Sequence, residues 1–246
     1  MTGGIGVPGY FGYESGSPLP SLVLPSLVQI LDGAPSANSP PVRVEYIPGS
    51  RFFYSGGGYE IVQAIIEDVT QRSFDAAIEE LVFRPLGMAD SRFIQPLPMD
   101  VADRAATGHR ADGSELPGGW RVVPELAAGG LWSTASDMAK LLVDIGQACR
   151  GEGGTLLSHE MALAMLTRQN GGSYGLGAAV AGAGDNLALM KRGQNIGHQP
   201  YLLIFPHTGQ GMVVMTGSDN GTTLSAALIR RAAAVYGWPP FGALPD

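Results

Sequence analysis

A tyrosine beside a run of glycines and a distant lysine are the residues of this chain best suited to acid–base chemistry. Tyr54 is followed by Ser55 and three glycines, and Lys191 stands far downstream, two positions before Gly193. A tyrosine hydroxyl has a pKa of about 10, so it acts as a base at neutral pH only if a cation lowers that pKa. Lys191 is predicted to be that cation. On spacing alone, a packed aromatic ring and a solvated strand end are the better supported interpretation of the two residues.

A second candidate for chemistry is the segment 171–175, Gly-Gly-Ser-Tyr-Gly, which fits the GxSxG pattern of serine hydrolases. That pattern needs a strand before the serine and a helix after it, so that the hydroxyl sits on a sharp turn. Here a polar loop precedes Ser173 and a predicted strand follows it, so a chance match in a glycine-rich chain is favoured. No metal or cofactor is predicted, because metal-ligand spacing is absent from the histidines, which are His109, His159, His198 and His207.

The composition sets the class of protein and excludes several partners. The chain has 246 residues, 45% hydrophobic and 15% charged, which is typical of a globular protein. A net charge of -7 argues against nucleic acid as a partner, because phosphate binding needs clustered basic residues. No apolar run reaches the roughly 18 residues of a membrane span, and residues 1–12 do not resemble a secretory signal. The compartment and the oligomeric state are left open.

The first 125 residues are predicted to be mainly helical. Ile61, Ile65 and Val69 recur at helical spacing, which predicts a helix beginning near Tyr59. Three weaker predictions complete this half: a helix over 19–31 broken at Pro25, a short strand over 42–47, and a helix over 73–83 stopped by Pro85.

The second half is predicted to form an antiparallel sheet with flanking helices. Thr134 and Ser158 are predicted N-caps of two helices, Thr134 with Asp137 in a capping-box arrangement, and a last helix covers 224–236. Short turns separate the predicted strands, which are 174–180, 186–190, 201–205 and 212–216. The expected fold is α+β in a single domain, with residues 1–125 as a helical subdomain and residues 126–246 as the sheet with its flanking helices.

Short segments along nearly the whole chain match one known family in their order. They are RFFYSGGGY (51–59), IIEDVT (65–70), PLGM (85–88), AGGLWSTASDM (128–138), YGLG (174–177) and VVMT (213–216). In this order they resemble the serine β-lactamase-related family, which comprises class C β-lactamases, D,D-peptidases (penicillin-binding proteins) and related esterases. The resemblance implies the β-lactamase/penicillin-binding-protein fold and hydrolysis of a small ester or amide through an acyl-enzyme, without a cofactor.

The family has three catalytic motifs, and the resemblance carries two of them onto this sequence. Tyr54 matches the tyrosine of Tyr-x-Asn, which shuttles a proton, and Lys191 with Gly193 matches Lys-x-Gly on an edge strand. The backbone N–H of Gln194 is then implied to supply half of an oxyanion hole. Gly56 takes the substrate-binding position of the asparagine, and Arg192 replaces a hydroxyl residue. These two departures weaken a β-lactamase or peptidase interpretation and favour a small ester as substrate.

The third motif, Ser-x-x-Lys with the nucleophile, is absent. The only lysines are Lys140 and Lys191, and the residues three positions before them are Asp137 and Ala188. We expect a chain that begins inside the domain and is inactive alone, with an open sheet edge and an uncovered apolar face that make it poorly soluble or oligomeric. The alternatives are a non-catalytic binding or interaction protein on the same scaffold and, more weakly, a hydrolase using Ser173.

Overall fold

Helices and short strands alternate along the chain, and the longer strands come last. The structure is a computed structural model that describes residues 1–15 and 23–240. Its α-helices are α1 (Leu27–Asp32), α2 (Gly56–Thr70), α3 (Phe74–Ile78), α4 (Arg84–Leu86), α5 (Met99–Ala102), α6 (Leu126–Gly129), α7 (Ala135–Arg150), α8 (His159–Leu166) and α9 (Gly221–Tyr236). Its strands are β1 (Tyr13–Glu14), β2 (Arg92–Phe93), β3 (Arg121–Val122), β4 (Leu131–Trp132), β5 (Ala179–Ala181), β6 (Ala188–Arg192), β7 (Tyr201–Phe205) and β8 (Gln210–Val214).

The main sheet is antiparallel and has the order β5-β6-β7-β8. β6 is therefore an inner strand over most of its length, which corrects the expectation that Lys191 lies on an edge strand. The last pair between β5 and β6 joins Ala179 to Met190, whereas Lys191 and Arg192 pair only with β7. The end of β6 consequently has one open side, and that end carries Lys191.

Helices cover both faces of this sheet, which confirms the predicted α+β class. Alternate residues of β7 point to opposite faces. Ile204 joins the cluster that contains Ile145 of α7, and Leu203 joins the cluster that contains Ile229 of α9. Both faces of β7 are therefore buried. Helices α7 and α8 lie on one side of the sheet, and α9 lies on the other. Two short ladders, β1 with β3 and β2 with β4, are separate from this sheet.

Helix α2 begins three residues earlier than predicted and presents an unexpected face to the core. Its N-cap, Ser55, accepts a hydrogen bond from the Gly58 N–H over 2.8 Å and donates one to the Gly6 carbonyl over 2.6 Å. The buried positions of the helix are Gly56, Gly57, Glu60 and Gln63. Three of its apolar residues point outward instead, since Val62, Ile65 and Val69 are 47%, 54% and 78% exposed, whereas Ile61 and Ile66 are partly buried.

The helical segment after Ser73 continues through the proline that was predicted to stop it. A π-helical turn, Glu79–Phe83, follows α3, and Pro85 lies inside α4, which ends at Gly87 in the left-handed conformation. Proline cannot donate the usual hydrogen bond four residues back, and a π-turn changes that hydrogen-bond pattern just before it. Gly87, with φ of 64°, follows the last helical residue, Leu86, which is three residues beyond the predicted end at 83.

The N-cap predictions for the later helices are confirmed. The Thr134 side chain accepts from the Asp137 N–H over 3.2 Å, and Ser158 accepts from the Met161 N–H over 3.2 Å. The capping box predicted at Thr134 is wrong in its second half, because the Asp137 carboxylate accepts from the Asp90 N–H and from Lys140 instead. The strand predicted over 42–47 is wrong, because only an isolated bridge joins Val44 to Ile5 there. In the segment 19–31, positions 19–22 lie outside the described residues, and α1 follows a Ser26 cap.

The other predicted strand boundaries need small corrections. The strand over 201–205 is confirmed residue for residue. The strands predicted over 174–180, 186–190 and 212–216 are observed as Ala179–Ala181, Ala188–Arg192 and Gln210–Val214. The first is shorter because a glycine-containing turn occupies 175–177, and the last is shifted because β8 begins directly after Gly209. None of the helices in the described ranges combines the length and apolar character needed to cross a bilayer.

Candidate active site

The structure brings Tyr54 and Lys191 into direct contact. Tyr54 precedes the Ser55 cap of α2, and Lys191 is the next-to-last residue of β6. The Nζ atom of Lys191 donates a hydrogen bond to the Oη atom of Tyr54 over 2.8 Å, although 137 positions separate the two residues. The start of one helix and the open end of one strand therefore form a single polar centre.

Aromatic rings surround the lysine at this centre. Its Nζ atom lies 4.6 Å from the ring centroid of Tyr54 and 5.6 Å from that of Tyr59, distances at which the ring faces attract a cation. The ring of Tyr174 is edge-on to Tyr54 with centroids 6.0 Å apart, and Phe52 stacks on Tyr174 at 5.1 Å. Sequence reasoning did not assign Tyr59 or Tyr174 to the site, although both lie in the matched segments.

Tyr59 also connects α2 to the turn that follows Tyr174. Its hydroxyl donates a hydrogen bond to the Gly177 carbonyl over 3.1 Å. Gly177 has φ of 88°, a backbone conformation that favours glycine. Because the ring of Tyr59 also lies 5.6 Å from Lys191 Nζ, Tyr59 links this turn to the polar centre.

Burial shifts the proton affinities of the central pair in opposite directions. It raises the pKa of the Tyr54 phenol and lowers the pKa of the Lys191 ammonium, because a low-dielectric surrounding disfavours both charged forms. Tyr174 opposes part of the shift in the Lys191 pKa, whereas Arg192 adds to it. The predicted lowering of the Tyr54 pKa by Lys191 is therefore wrong for this structure. Desolvation outweighs the attraction of the single cation, and Tyr54 keeps its proton at neutral pH.

The two residues after β6 differ in their surroundings. Gly193 donates its N–H to the Pro200 carbonyl over 2.9 Å, and a Cβ atom at Gly193 would lie 2.7 Å from Pro200 Cγ. Contact with Pro200 thus explains why this position needs glycine. Gln194 is exposed, and its backbone N–H has no acceptor within the described residues. That donor is available to a ligand. Next to it, the Asn195 amide donates to the Gly129 carbonyl over 2.9 Å.

Gly56 lies against the segment 8–10. It is buried at the start of α2, and a Cβ atom built on it would meet Gly9 Cα at 3.1 Å and the Tyr10 ring at 3.2 Å. A longer side chain at this position would have to displace that segment. The predicted substrate contact of Gly56 stays a prediction.

The serines of this region lack the surroundings of a nucleophile. Ser173 is exposed, and the chain after it turns into β5 rather than into a helix. No base hydrogen-bonds its hydroxyl within the described residues, so the GxSxG geometry is not formed. Ser55 Oγ is already engaged as the cap of α2. In the ranges 1–15 and 23–240, no three His, Cys, Asp or Glu side chains meet in a way that could hold a metal ion.

Comparison with known proteins gives one family and one fold. The sequence model of the family named "Beta-lactamase" matches residues 8–236. A protein of Escherichia coli K12 named a D-alanyl-D-alanine carboxypeptidase is 31% identical over 139 residues, which are 54% of this chain and 30% of that protein. The chain thus matches less than a third of the length of this curated relative.

Two solved structures have the same fold. The penicillin-binding protein from Bacillus halodurans superposes with a TM-score of 0.68 at 23% identity, covering 94% of this chain and 72% of that one. The D-amino acid amidase from Ochrobactrum anthropi gives a TM-score of 0.69 at 20% identity, with 94% and 70% covered. The family match extends over most of the chain, and it includes both Tyr54 and Lys191. The chain therefore belongs to the β-lactamase family of serine hydrolases.

Proposed function

We propose that Tyr54 and Lys191 are the proton-transfer pair of a covalent serine hydrolase that acts on a small ester or amide. The observation that carries this proposal is the 2.8 Å hydrogen bond between Lys191 Nζ and Tyr54 Oη. The exposed, unpaired N–H of Gln194 supports it, because a free backbone donor beside the pair suits an oxyanion. In this proposal the whole chain forms one domain, whose helical subdomain (residues 1–125) carries the tyrosine and whose sheet region (residues 126–246) carries the lysine.

The proposed reaction proceeds through an acyl-enzyme. A serine oxygen attacks the carbonyl carbon of the substrate while the serine proton passes to Tyr54 and the Tyr54 proton passes to Lys191 in its amine form, the form that burial favours. The Gln194 N–H stabilises the oxygen of the tetrahedral intermediate. Tyr54 then returns the proton to the leaving alcohol or amine, and attack by water releases the acid and regenerates the serine. The 246 residues contain no Ser-x-x-Lys to supply this serine, so the chain by itself is proposed to be inactive.

An ester is the favoured substrate class. Gly56 offers no side-chain amide to hold an acylamide group, and Arg192 offers no hydroxyl to grip a substrate carboxylate. Two of the similar proteins are named a D-alanyl-D-alanine carboxypeptidase and a D-amino acid amidase, which keeps an amide as the second choice.

A second function, in a different class, is ligand binding without catalysis. The absence of Ser-x-x-Lys favours it, because the scaffold and the Tyr54–Lys191 pair are present while the nucleophile motif is not. A binding protein would hold a small ester or peptide beside Lys191 and form no covalent bond to it.

Intact-mass spectrometry after treatment with a fluorophosphonate, and separately with a penicillin, tests the assignment of the nucleophile. We expect no stoichiometric adduct on the folded chain. An adduct that Ser173→Ala or Ser55→Ala removes would overturn the assignment and would identify the nucleophile.

The coding DNA upstream of Met1 separates the two functions. An in-frame Ser-x-x-Lys there predicts that the longer product hydrolyses a short-chain aryl ester and that its Tyr54→Phe variant does not. The hydrolase proposal would be contradicted if the longer product did not hydrolyse the ester, or if its Tyr54→Phe variant hydrolysed the ester as fast as the unmutated product. The absence of any upstream Ser-x-x-Lys, with ligand-dependent thermal stabilisation of the chain, would support the binding protein instead.

A further inference from the structure

Two glutamates are completely buried where α6 packs on α2. Glu60 and Glu125 are both 0% exposed. One oxygen of Glu60 accepts a hydrogen bond from the Ala128 N–H over 3.0 Å. Its other oxygen and both oxygens of Glu125 have no hydrogen-bond partner among the described residues, and neither has the nearby Tyr10 hydroxyl.

The way in which α6 is capped explains these unpaired carboxyl oxygens. Glu125 stands at the N-cap position of α6, but its side chain makes no capping hydrogen bond. Side chains of α2 cap the helix instead, because Gln63 Oε1 accepts from the Ala127 N–H over 3.2 Å and Glu60 Oε1 accepts from the Ala128 N–H. The Glu125 carboxyl is therefore left inside the protein without a donor.

No positive charge compensates the two carboxyl groups. The titratable groups that act on them from the elements around are all neutral or acidic; they are Tyr10 and Tyr13 near the N-terminus and Glu67 on α2. No Lys, Arg or His forms an ion pair with Glu60 or Glu125 within the ranges that the structure describes. An ionised carboxylate without a partner is strongly unfavourable in such a place, and protonation is the less costly state.

We propose that Glu60 and Glu125 retain protons in the folded protein in mildly acidic solution, where exposed carboxyls are ionised, and that their ionisation loosens the docking of α6 on α2. This makes them positioning residues for the site. α6 ends at Gly129, whose carbonyl accepts a hydrogen bond from the side-chain amide of Asn195. Asn195 directly follows Gln194 in the chain. A shift of α6 would therefore move the backbone N–H that is proposed to bind the oxyanion.

The direction of the pH effect follows from the two pKa values. Burial raises the pKa of Glu60 to about 8 and that of Glu125 to about 7, from 4.5 in an unfolded chain. The unfolded chain releases these protons first, so the contribution to stability is complete below about pH 4.5 and is lost as the pH rises through about 7 to 8. We expect the melting temperature of the wild type to fall by about 4 °C or more between about pH 5 and about pH 9.

Thermal unfolding of the wild type and of Glu60→Gln and Glu125→Gln at matched ionic strength tests the proposal. Each glutamine keeps the shape of the side chain and removes its titration, and glutamine at position 60 still accepts from the Ala128 N–H. We expect each variant to lose at least about a third of the fall in melting temperature. Glu160→Gln, an exposed position on α8, should keep the full fall. Infrared spectra in mildly acidic solution should show a protonated-carboxyl band that weakens in both variants.

Several results would overturn the proposal. A wild-type melting temperature that is independent of pH would do so, as would variants with the same pH dependence as the wild type. If a variant fails to fold, the infrared band of the wild type decides, because its absence in mildly acidic solution means that both carboxyls are ionised. A further contrary result is that Ca²⁺ stabilises the wild type at about pH 9 and leaves Glu125→Gln unchanged. That result would show that the two carboxyls bind a cation rather than protons, and it would overturn the proposal. These measurements follow unfolding and protonation, so the proposed hydrolase function can fail without affecting them.

Discussion

The ammonium of Lys191 donates a hydrogen bond to the phenol oxygen of Tyr54 over 2.8 Å, and burial disfavours the charged form of each partner. β6 extends two residues beyond its pairing with β5, so the lysine has a neighbouring strand only on the β7 side. Tyr54 is the residue just before the cap of α2, and its side chain reaches the lysine from that position. The pair is thus a property of two element ends and of the packing between them.

Replacement of Tyr54 by phenylalanine removes the acceptor of this hydrogen bond and keeps the ring. In a form of the protein that hydrolyses an ester, we expect kcat/KM to fall about 10²- to 10⁴-fold, the range of general acid–base contributions. The melting temperature should fall by only a few degrees, because leaving Lys191 without this acceptor costs about 1 to 3 kcal/mol. Tyr236→Phe, at an exposed ring on α9, is the control and should have the activity of the wild type. Equal kcat/KM values in the two variants would remove Tyr54 from the mechanism.

The titration of Lys191 can be measured directly, because the chain has only two lysines. Burial lowers the pKa of Lys191 below its ordinary value of 10.5, so its NMR signal after reductive methylation with ¹³C should titrate below that value. The unfolded chain then binds more protons than the folded one, and stability should rise with pH between the folded pKa of Lys191 and about 10.5. Lys191→Met assigns the signal by deleting it. Titration of Lys191 at or above 10.5 would contradict the burial seen here.

A methyl group at Gly193 should disturb the segment after β6. Its Cβ atom would lie 2.7 Å from Pro200 Cγ, so we expect Gly193→Ala to destabilise the protein by about 1 to 3 kcal/mol, the usual cost of overpacking. Gly9→Ala is a matched control, because no atom lies within 4 Å of a Cβ atom built there. Denaturant unfolding measures both. A Gly193→Ala variant as stable as Gly9→Ala would show that Pro200 yields without cost.

The outward apolar face of α2 should make the chain self-associate. Val62, Ile65 and Val69 form an exposed stripe on this helix, and exposed apolar stripes favour association. We expect the weight-average mass in analytical ultracentrifugation to rise with concentration and to fall towards the monomer value in Ile65→Lys/Val69→Lys. Val143→Lys, at an equally exposed position on α7, should associate like the wild type. A wild type that is monomeric at all concentrations would contradict the expectation.

The sequence by itself determined the local elements and the family. The N-caps at Thr134 and Ser158 and the strand 201–205 were predictable, because caps and short apolar runs are recognisable from a few neighbouring residues. The ordered segments from 51–59 to 213–216 indicated the family that the comparison confirms. Boundaries near Pro85 and the turn 175–177 were less predictable, because a π-turn and left-handed glycines there depend on the surrounding fold.

Tertiary structure alone decided how the site is built. The 2.8 Å contact between Tyr54 and Lys191, the rings of Tyr59 and Tyr174 around the lysine, and the raised pKa of Tyr54 all depend on packing between distant segments. Packing also made Glu60 a buried residue on a helix whose apolar side faces outward. A pattern of residue types specifies which face of a helix is apolar, but the neighbouring elements decide which face is covered and how much water each charge keeps.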